Sequence, residues 1–271
     1  MTGSLVDPES IPTELRAYLA ELVRRTRAVC GPYLVNIFAV GSLALDDYRH
    51  GRSDVDVTVV VDPAFQQNAV IELAESLTDL ACPASGLELV LYDADFIGAP
   101  TDRAGYRLNL NTGPLLPYQA SFDSSRSQAF WYVIDRAVGY QAGRLLYGRP
   151  VRQVVAAPSR TDQLVCVLAS IREHAHGAGH LADNRVLNAC RSTVFCRTNQ
   201  WFAKRVAAQS IADSEPAFRP LIDRALHSFA RPRSDALGLP EADVQRFLSW
   251  VQDSVERTMR GEDVPTMPSA R

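Results

Sequence analysis

Two aspartates, Asp54 and Asp56, stand two residues apart at the head of a valine-rich run, and eleven residues separate them from the pair Gly41-Ser42. A spacing of two puts both carboxylates on one face of an extended strand. Two anionic groups side by side repel and raise each other's pKa unless a cation sits between them. Mg²⁺ is the natural occupant, because it is hard, octahedral, and typically bound by one or two carboxylates plus substrate phosphates. A glycine directly after an apolar run lets the backbone approach a ligand closely, and the adjoining serine offers an N–H and a hydroxyl to phosphate. Glu88, in the alternating run Leu87 to Tyr92, falls on the polar side of its own strand. If that strand lies beside the Asp-x-Asp strand, a third carboxylate joins the site, as metal ligand, as contact to an acceptor, or as general base for an attacking hydroxyl. The plainer alternatives are an exposed strand end for the aspartates and an edge-strand charge for Glu88.

These residues need strands to carry them. Leu34 to Val40 is a short apolar run between turn signals and predicts a buried strand. Asp54 to Val61 predicts the clearest strand, with Val55, Val57, Val59 and Val61 on one face. A helix over Pro12 to Val29 and another over Ala64 to Leu80 flank them, and Tyr106 to Leu110 offers a fourth strand. From about Ser127 the strand signals stop. Helices are expected over 127–147, 161–174, 184–199, 201–212, 215–230 and 240–259, with breaks at Gly148 to Pro150, at Ala157 to Ser159, around His176 to His180, and at Arg231 to Ser234. Strands followed by runs of helices indicate an α+β protein, or two domains, with residues 1–150 as the mixed-sheet domain and 151–271 as an all-helical one. The tail from Gly261 is expected to be loose.

Composition narrows the partners. A net charge of −3 argues against broad nucleic-acid binding, which rests on clustered cations. No run of about 18 apolar residues offers a membrane span. The polar opening MTGSLVDPES lacks the basic and then apolar order of a secretory leader, so a cytoplasmic location is expected. Five cysteines without a CxxC suit reduced thiols, leaving any metal to oxygen ligands, and nothing calls for more than a monomer. The 28 basic residues include a single lysine, Lys204. Codon bias explains the arginines but not the place of that lysine.

Gly41-Ser42, eleven residues, then Asp54-Val55-Asp56 resembles the signature of the DNA polymerase β-like nucleotidyltransferases. Within that superfamily the chain resembles, over nearly its full length, the aminoglycoside adenylyltransferases that modify streptomycin and spectinomycin. Their nucleotidyltransferase domain is followed by a helical one. The resemblance implies that Gly41 and Ser42 bind nucleotide phosphate, that Asp54 and Asp56 hold two Mg²⁺ ions, and that Glu88 is the base. The stretch Val186 to Arg191 followed by Ala203 to Val206 resembles the segment that directs an arginine and a lysine at the triphosphate, which implies Arg191 and Lys204 here. The implied reaction moves AMP from ATP to a hydroxyl of a small, cationic acceptor, with closure of the two domains assembling the site. Asp183 is read either as an acidic contact to an acceptor amine or as a helix N-cap. No tryptophan lies in Asn111 to Pro114 or in His174 to Asp183, where the family's acceptor contacts would fall, so the acceptor carries over less well than the chemistry. Transfer to a metabolite or protein side chain, and a catalytically silent nucleotide-binding protein, remain alternatives.

Zinc at His174, His176 and His180 is disfavoured, because Gly177 and Gly179 interrupt any helix aligning them. Trp131, Tyr132, Trp201 and Trp250 are read as packing residues.

Overall fold

The computed structural model describes residues 11–177 and 179–262. The opening ten residues and most of the tail beyond Gly261, on which the leader and loose-end expectations fall, lie outside them. The chain divides into two compact units, Met1–Pro158 and Ser159–Arg271.

The first unit runs α1 (Thr13–Cys30), β1 (Leu34–Ala39), α2 (Gly41–Ala44), β2 (Val55–Val61), α3 (Gln67–Ser76), β3 (Leu87–Asp93), α4 (Ala94–Ile97), β4 (Leu108–Thr112), β5 (Gln119–Ser121), α5 (Ala129–Ala142) and β6 (Arg144–Gly148). The six strands form one mixed sheet in the order β5-β4-β3-β2-β1-β6. Among the described residues only β2 and β3 pair in parallel, and α3 makes their crossover. Strand alternation sorts the two faces. Val55, Val57, Val59, Val61, Leu87, Leu89 and Leu91 are buried against α1 and α3 with Leu15, Leu19, Leu22 and Leu73. On the reverse face Phe38, Val60 and Tyr92 pack with Tyr132 of α5 and with Val151, Val154 and Val155. Those three valines carry the unit past residue 150.

Two expectations are corrected here. The helix foreseen over 127–147 stops at Ala142, where Gly143 caps it: a Cβ there would meet the Gly139 carbonyl oxygen at 2.4 Å. The chain then turns into β6, antiparallel to β1. Local helical spacing cannot reveal a strand whose partner lies far earlier in the chain. Asn36, fully buried on β1, holds this return: its Nδ2 donates to the Arg149 carbonyl (2.9 Å) and its Oδ1 accepts from the Arg149 N–H (2.6 Å). The helix foreseen over 64–80 is also shorter, as α3 begins at Gln67 and gives way to turns after Ser76.

The second unit is helical, with α6 (Arg160–His176), α7 (Ala182–Thr198), α8 (Lys204–Ser214), α9 (Arg219–Phe229) and α10 (Glu241–Met259). α7 is buried on most sides and contacts each of α6, α8, α9 and α10. Trp201 stacks on Phe195 at 4.5 Å and donates to Gln163 Oε1 at 3.0 Å, and Trp250 packs on Phe218 and Phe247. Trp201 precedes α8 rather than opening it. Tyr132 is a core residue of the first unit, but Trp131 is 38% exposed and lies outside that core. Among the described residues no helix is long and apolar enough to cross a membrane.

Candidate active site

The site begins where β1 ends. The Val40 N–H donates to the Asp56 carbonyl (3.0 Å), so the turn after β1 is tied to β2 at the level of Asp56. Gly41 follows with φ +56°, and a Cβ built on it would stand 1.9 Å from Asp56 Oδ2. Only a glycine fits there, both for backbone conformation and for room. Ser42 Oγ is buried and has no hydrogen-bond partner among the described residues. The loop back to β2 is pinned by Ser53 and Arg49, which exchange hydrogen bonds of 2.8 and 3.1 Å.

Asp54 immediately precedes β2. Its neighbours are fixed to the segment leading into β3, since the Ser53 carbonyl accepts from the Ser85 N–H and the Val55 N–H donates to the Gly86 carbonyl at 2.8 Å. Asp56 is the direct register partner of Glu88 across the parallel pair, so the two carboxylates share a face at neighbouring positions. Because β3 is flanked by β2 and β4, Glu88 is not the edge charge of the plainer reading. The row continues: Glu88 is opposite Asn111, and Asn111 is opposite Gln119.

The structure adds a residue that the sequence does not announce. α5 covers the next level of this face, and a cavity of about 20 Å³ under it is lined by Asp56, Thr58, Glu88 and Val90 from the sheet and by Asp135 and Arg136 from the helix. That volume suits about one water-sized occupant. Buried Arg136 sets the helix's rotation by donating to the carbonyls of Thr101, Arg103 and Ala104 at 2.7 to 3.2 Å, with its guanidinium over the rings of Tyr92 and Phe96. Asp135 is thereby brought beside Asp56 and Glu88. Its only signal in sequence is its place next to the buried positions Tyr132 and Arg136, which means nothing until the helix is docked on the sheet.

The remaining candidates belong to the helical unit. Lys204 opens α8 and is half-buried; its Nζ donates to Asn184 Oδ1 at 3.1 Å and lies 5.6 Å from the Phe229 ring centre. It is therefore no ordinary solvated surface charge. Arg191 places its guanidinium 5.5 Å from the centre of the Trp201 ring, with Nε buried. Asp183 departs from both of its expectations. The cap position of α7 is Leu181, and Asp183 lies fully buried inside the first turn that follows. Its carboxylate accepts from Ser228 Oγ at 2.5 Å and from the Asn184 N–H at 2.7 Å. Such a carboxylate ties α7 to α9 and is not on offer to an acceptor amine. His174 is also internal: Nδ1 lies 2.6 Å from the Ser170 carbonyl, Nε2 3.0 Å from Asn188 Nδ2, and the ring stacks on His180. Burial lowers its pKa to about 4, with the charges of His180 and Lys204 acting the same way.

Among the described residues, no three His, Cys, Asp or Glu side chains form a group that could hold a metal ion by themselves. Asp54, Asp56 and Glu88 are thus not a finished three-ligand set; Asp54 lies outside the paired register that fixes the other two. The residues nonetheless fit Mg²⁺, which needs only one or two carboxylates when phosphate supplies other oxygens. The side-chain-free turn at Gly41, packed against Asp56, and the buried Ser42 hydroxyl beside it offer that phosphate a close backbone approach and a donor.

This arrangement is that of a nucleotidyltransferase domain, and residues 22–97, from α1 to α4, match the family of that description. The chain carries a nucleotidyltransferase domain. In fold it is similar to the crystal structure of spectinomycin adenyltransferase AAD(9) from Enterococcus faecialis with ATP and spectinomycin, with 15% sequence identity, a TM-score of 0.67, and coverage of 88% of this chain and 99% of that one. A mixed sheet with flanking helices followed by a helical part is thus the fold of the chain, as the sequence led us to expect. No curated protein matches it by sequence.

Proposed function

We propose that the protein transfers AMP from ATP to a hydroxyl of a small, cationic acceptor, of the aminoglycoside or aminocyclitol kind. The observation that carries this reading is the convergence of Gly41, Asp56 and Glu88: a backbone turn with no room for a side chain, against a carboxylate whose register partner is a second carboxylate. Similarity in fold to an adenyltransferase crystallised with ATP and spectinomycin supports the same reading.

Asp54 and Asp56 would hold Mg²⁺, which when bound supplies positive charge to the triphosphate. Gly41 and Ser42 give the phosphate close backbone approach and a hydroxyl. Glu88 takes the proton of the acceptor hydroxyl as its oxygen bonds to the α-phosphorus. The bond from that phosphorus to the bridging oxygen breaks, and pyrophosphate leaves. Arg191 and Lys204 are proposed to offset charge on the β- and γ-phosphates. The acidic face built from Asp54, Asp56, Glu88 and Asp135 favours a cationic acceptor.

The test is a panel of aminoglycosides and spectinomycin incubated with ATP, with and without Mg²⁺, and scored by mass for an added AMP. Gain of AMP only with Mg²⁺ is the expected result. No gain across the panel, with ATP still bound, removes the antibiotic acceptor and favours transfer to another metabolite or to a protein.

A further inference from the structure

Arg191 and Phe195 stand one turn apart on α7, so both side chains leave the same face of that helix. The helix ends at Asn199, whose left-handed backbone (φ 58°, ψ 26°) turns the chain back, with the Asn199 N–H donating to the Phe195 carbonyl at 2.8 Å. Trp201 is thereby laid along the face just left. Its ring stacks on Phe195 at 4.5 Å and 14°, and the guanidinium carbon of Arg191 lies 5.5 Å from its centre. The hydrogen bond from its Nε1 to Gln163 of α6 fixes the rotation of the ring, which is 4% exposed. Three residues further on, Lys204 opens α8 with its Nζ 5.6 Å from the centre of the Phe229 ring. Arg191 and Lys204, the two cations assigned to phosphate, thus each rest on an aromatic ring.

A guanidinium over a ring is attracted by the ring's quadrupole, and the contact uses none of the five N–H donors, which lie in the guanidinium plane. A carboxylate partner, of the kind that Arg185 has in Glu241 and Arg197 in Glu215, takes such donors and offsets the charge. An aromatic shelf therefore orients a cation while leaving its charge to act on a ligand. We infer that Trp201 is a positioning residue for the nucleotide: it orients the Arg191 guanidinium toward the triphosphate, and the turn from Asn199 to Lys204 places both cations together. The inference rests on the transfer reading above and adds to it the part of the chain that sets the cations. Trp201 acts through Arg191 and touches neither phosphate nor acceptor. Because its indole lies against the group that phosphate engages, its fluorescence reports the arrival of phosphate directly.

The experiment uses the full chain with Trp131→Phe and Trp250→Phe, which leaves Trp201 as its one tryptophan. ATP with Mg²⁺ and, as a probe without the adenine ring, pyrophosphate with Mg²⁺ are titrated against its emission and, separately, by calorimetry. We expect the emission to change with both, over the concentrations at which calorimetry shows binding, and the change to be lost in Arg191→Gln at saturating ATP. In the otherwise wild-type chain, Trp201→Leu should weaken ATP binding roughly tenfold, and Trp201→Phe, which keeps a ring, should restore most of it. Trp250→Leu removes a ring packed on Phe218 and Phe247 in the same unit, and should lower the unfolding temperature without weakening ATP binding. The emission test needs no change at position 201, so it decides the matter even where Trp201→Leu fails to fold. An emission that ignores bound ATP, a change that persists in Arg191→Gln, or an equal loss of ATP binding in Trp250→Leu and Trp201→Leu each overturns the inference. A wild type that binds no ATP by calorimetry overturns the transfer reading itself and the inference with it, and that one measurement distinguishes the two failures.

Discussion

Gly41 and Asp56 are in contact across the β1–β2 pair: a methyl group on Gly41 would stand 1.9 Å from Oδ2 of Asp56. Turning the carboxyl group away would still leave Asp56 Cβ at 3.2 Å, while Gly41 keeps its φ of +56°. Gly41→Ala therefore has to displace either the turn or the carboxylate. A misplacement of about 1 Å at a reacting centre costs on the order of a hundredfold in rate. We expect pyrophosphate release from ATP to fall by at least that factor in Gly41→Ala while the fold, followed by circular dichroism, persists.

The two carboxylates in register should separate by function. Asp56→Asn is expected to abolish Mg²⁺-dependent turnover and to weaken nucleotide binding in the presence of Mg²⁺. Glu88→Gln keeps the shape and removes the proton acceptor, so ATP should still bind while transfer drops by roughly 10²- to 10⁴-fold. Isothermal titration with a non-hydrolysable ATP analogue, beside a turnover assay, reads both. Normal turnover in Glu88→Gln would remove its assignment as base.

Asp183 and Lys204, both drawn from the helical unit, should behave in opposite ways. Asp183→Ala leaves Ser228 and the Asn184 N–H without their buried acceptor, and is expected to cost about 1–3 kcal/mol of stability, seen in urea unfolding, with little specific effect on acceptor KM. Lys204→Ala should raise KM for ATP well beyond the effect of Arg224→Ala, whose side chain is exposed. Equal effects of those two would return the lone lysine to chance.

His174 gives the helical unit a pH dependence. Its folded pKa, near 4, lies below the value of about 6.5 for a free imidazole, so the unfolded chain binds the proton more readily. Stability from this group is complete above about pH 6.5 and is lost as pH falls toward 4, by about 3 kcal/mol in all. Urea midpoints followed by tryptophan fluorescence should decline over that window in the wild type and decline less in His174→Gln.

What can be read before the fold is known follows the range of the interactions. The Asp-x-Asp pair and the valine face of β2 are set by a period of two, which any stretch of sequence displays. Glu88 can be named, but its place beside Asp56 needs the pairing of β2 with β3, which only the crossover through α3 provides. Asp135 is invisible because its meaning comes from the docking of α5, fixed in turn by Arg136 reaching the carbonyls of three residues from another loop. Asp183 misleads for the opposite reason. An acidic residue next to a helix start resembles a cap or an exposed contact, and only its partner on α9, 45 positions away, shows that it is internal.

The return of the chain through β6 bears on how the protein is made. Asn36 and Arg149, which clasp β1 to the segment after β6, are 113 residues apart. Until Arg149 has emerged from the ribosome, β1 has one paired neighbour and one bare edge, the kind of edge that recruits foreign strands. Contacts of such long sequence separation also form late, because a long loop must close before they contribute. The strands that carry Asp56 and Glu88 are thus synthesised well before the sheet that holds them can be completed.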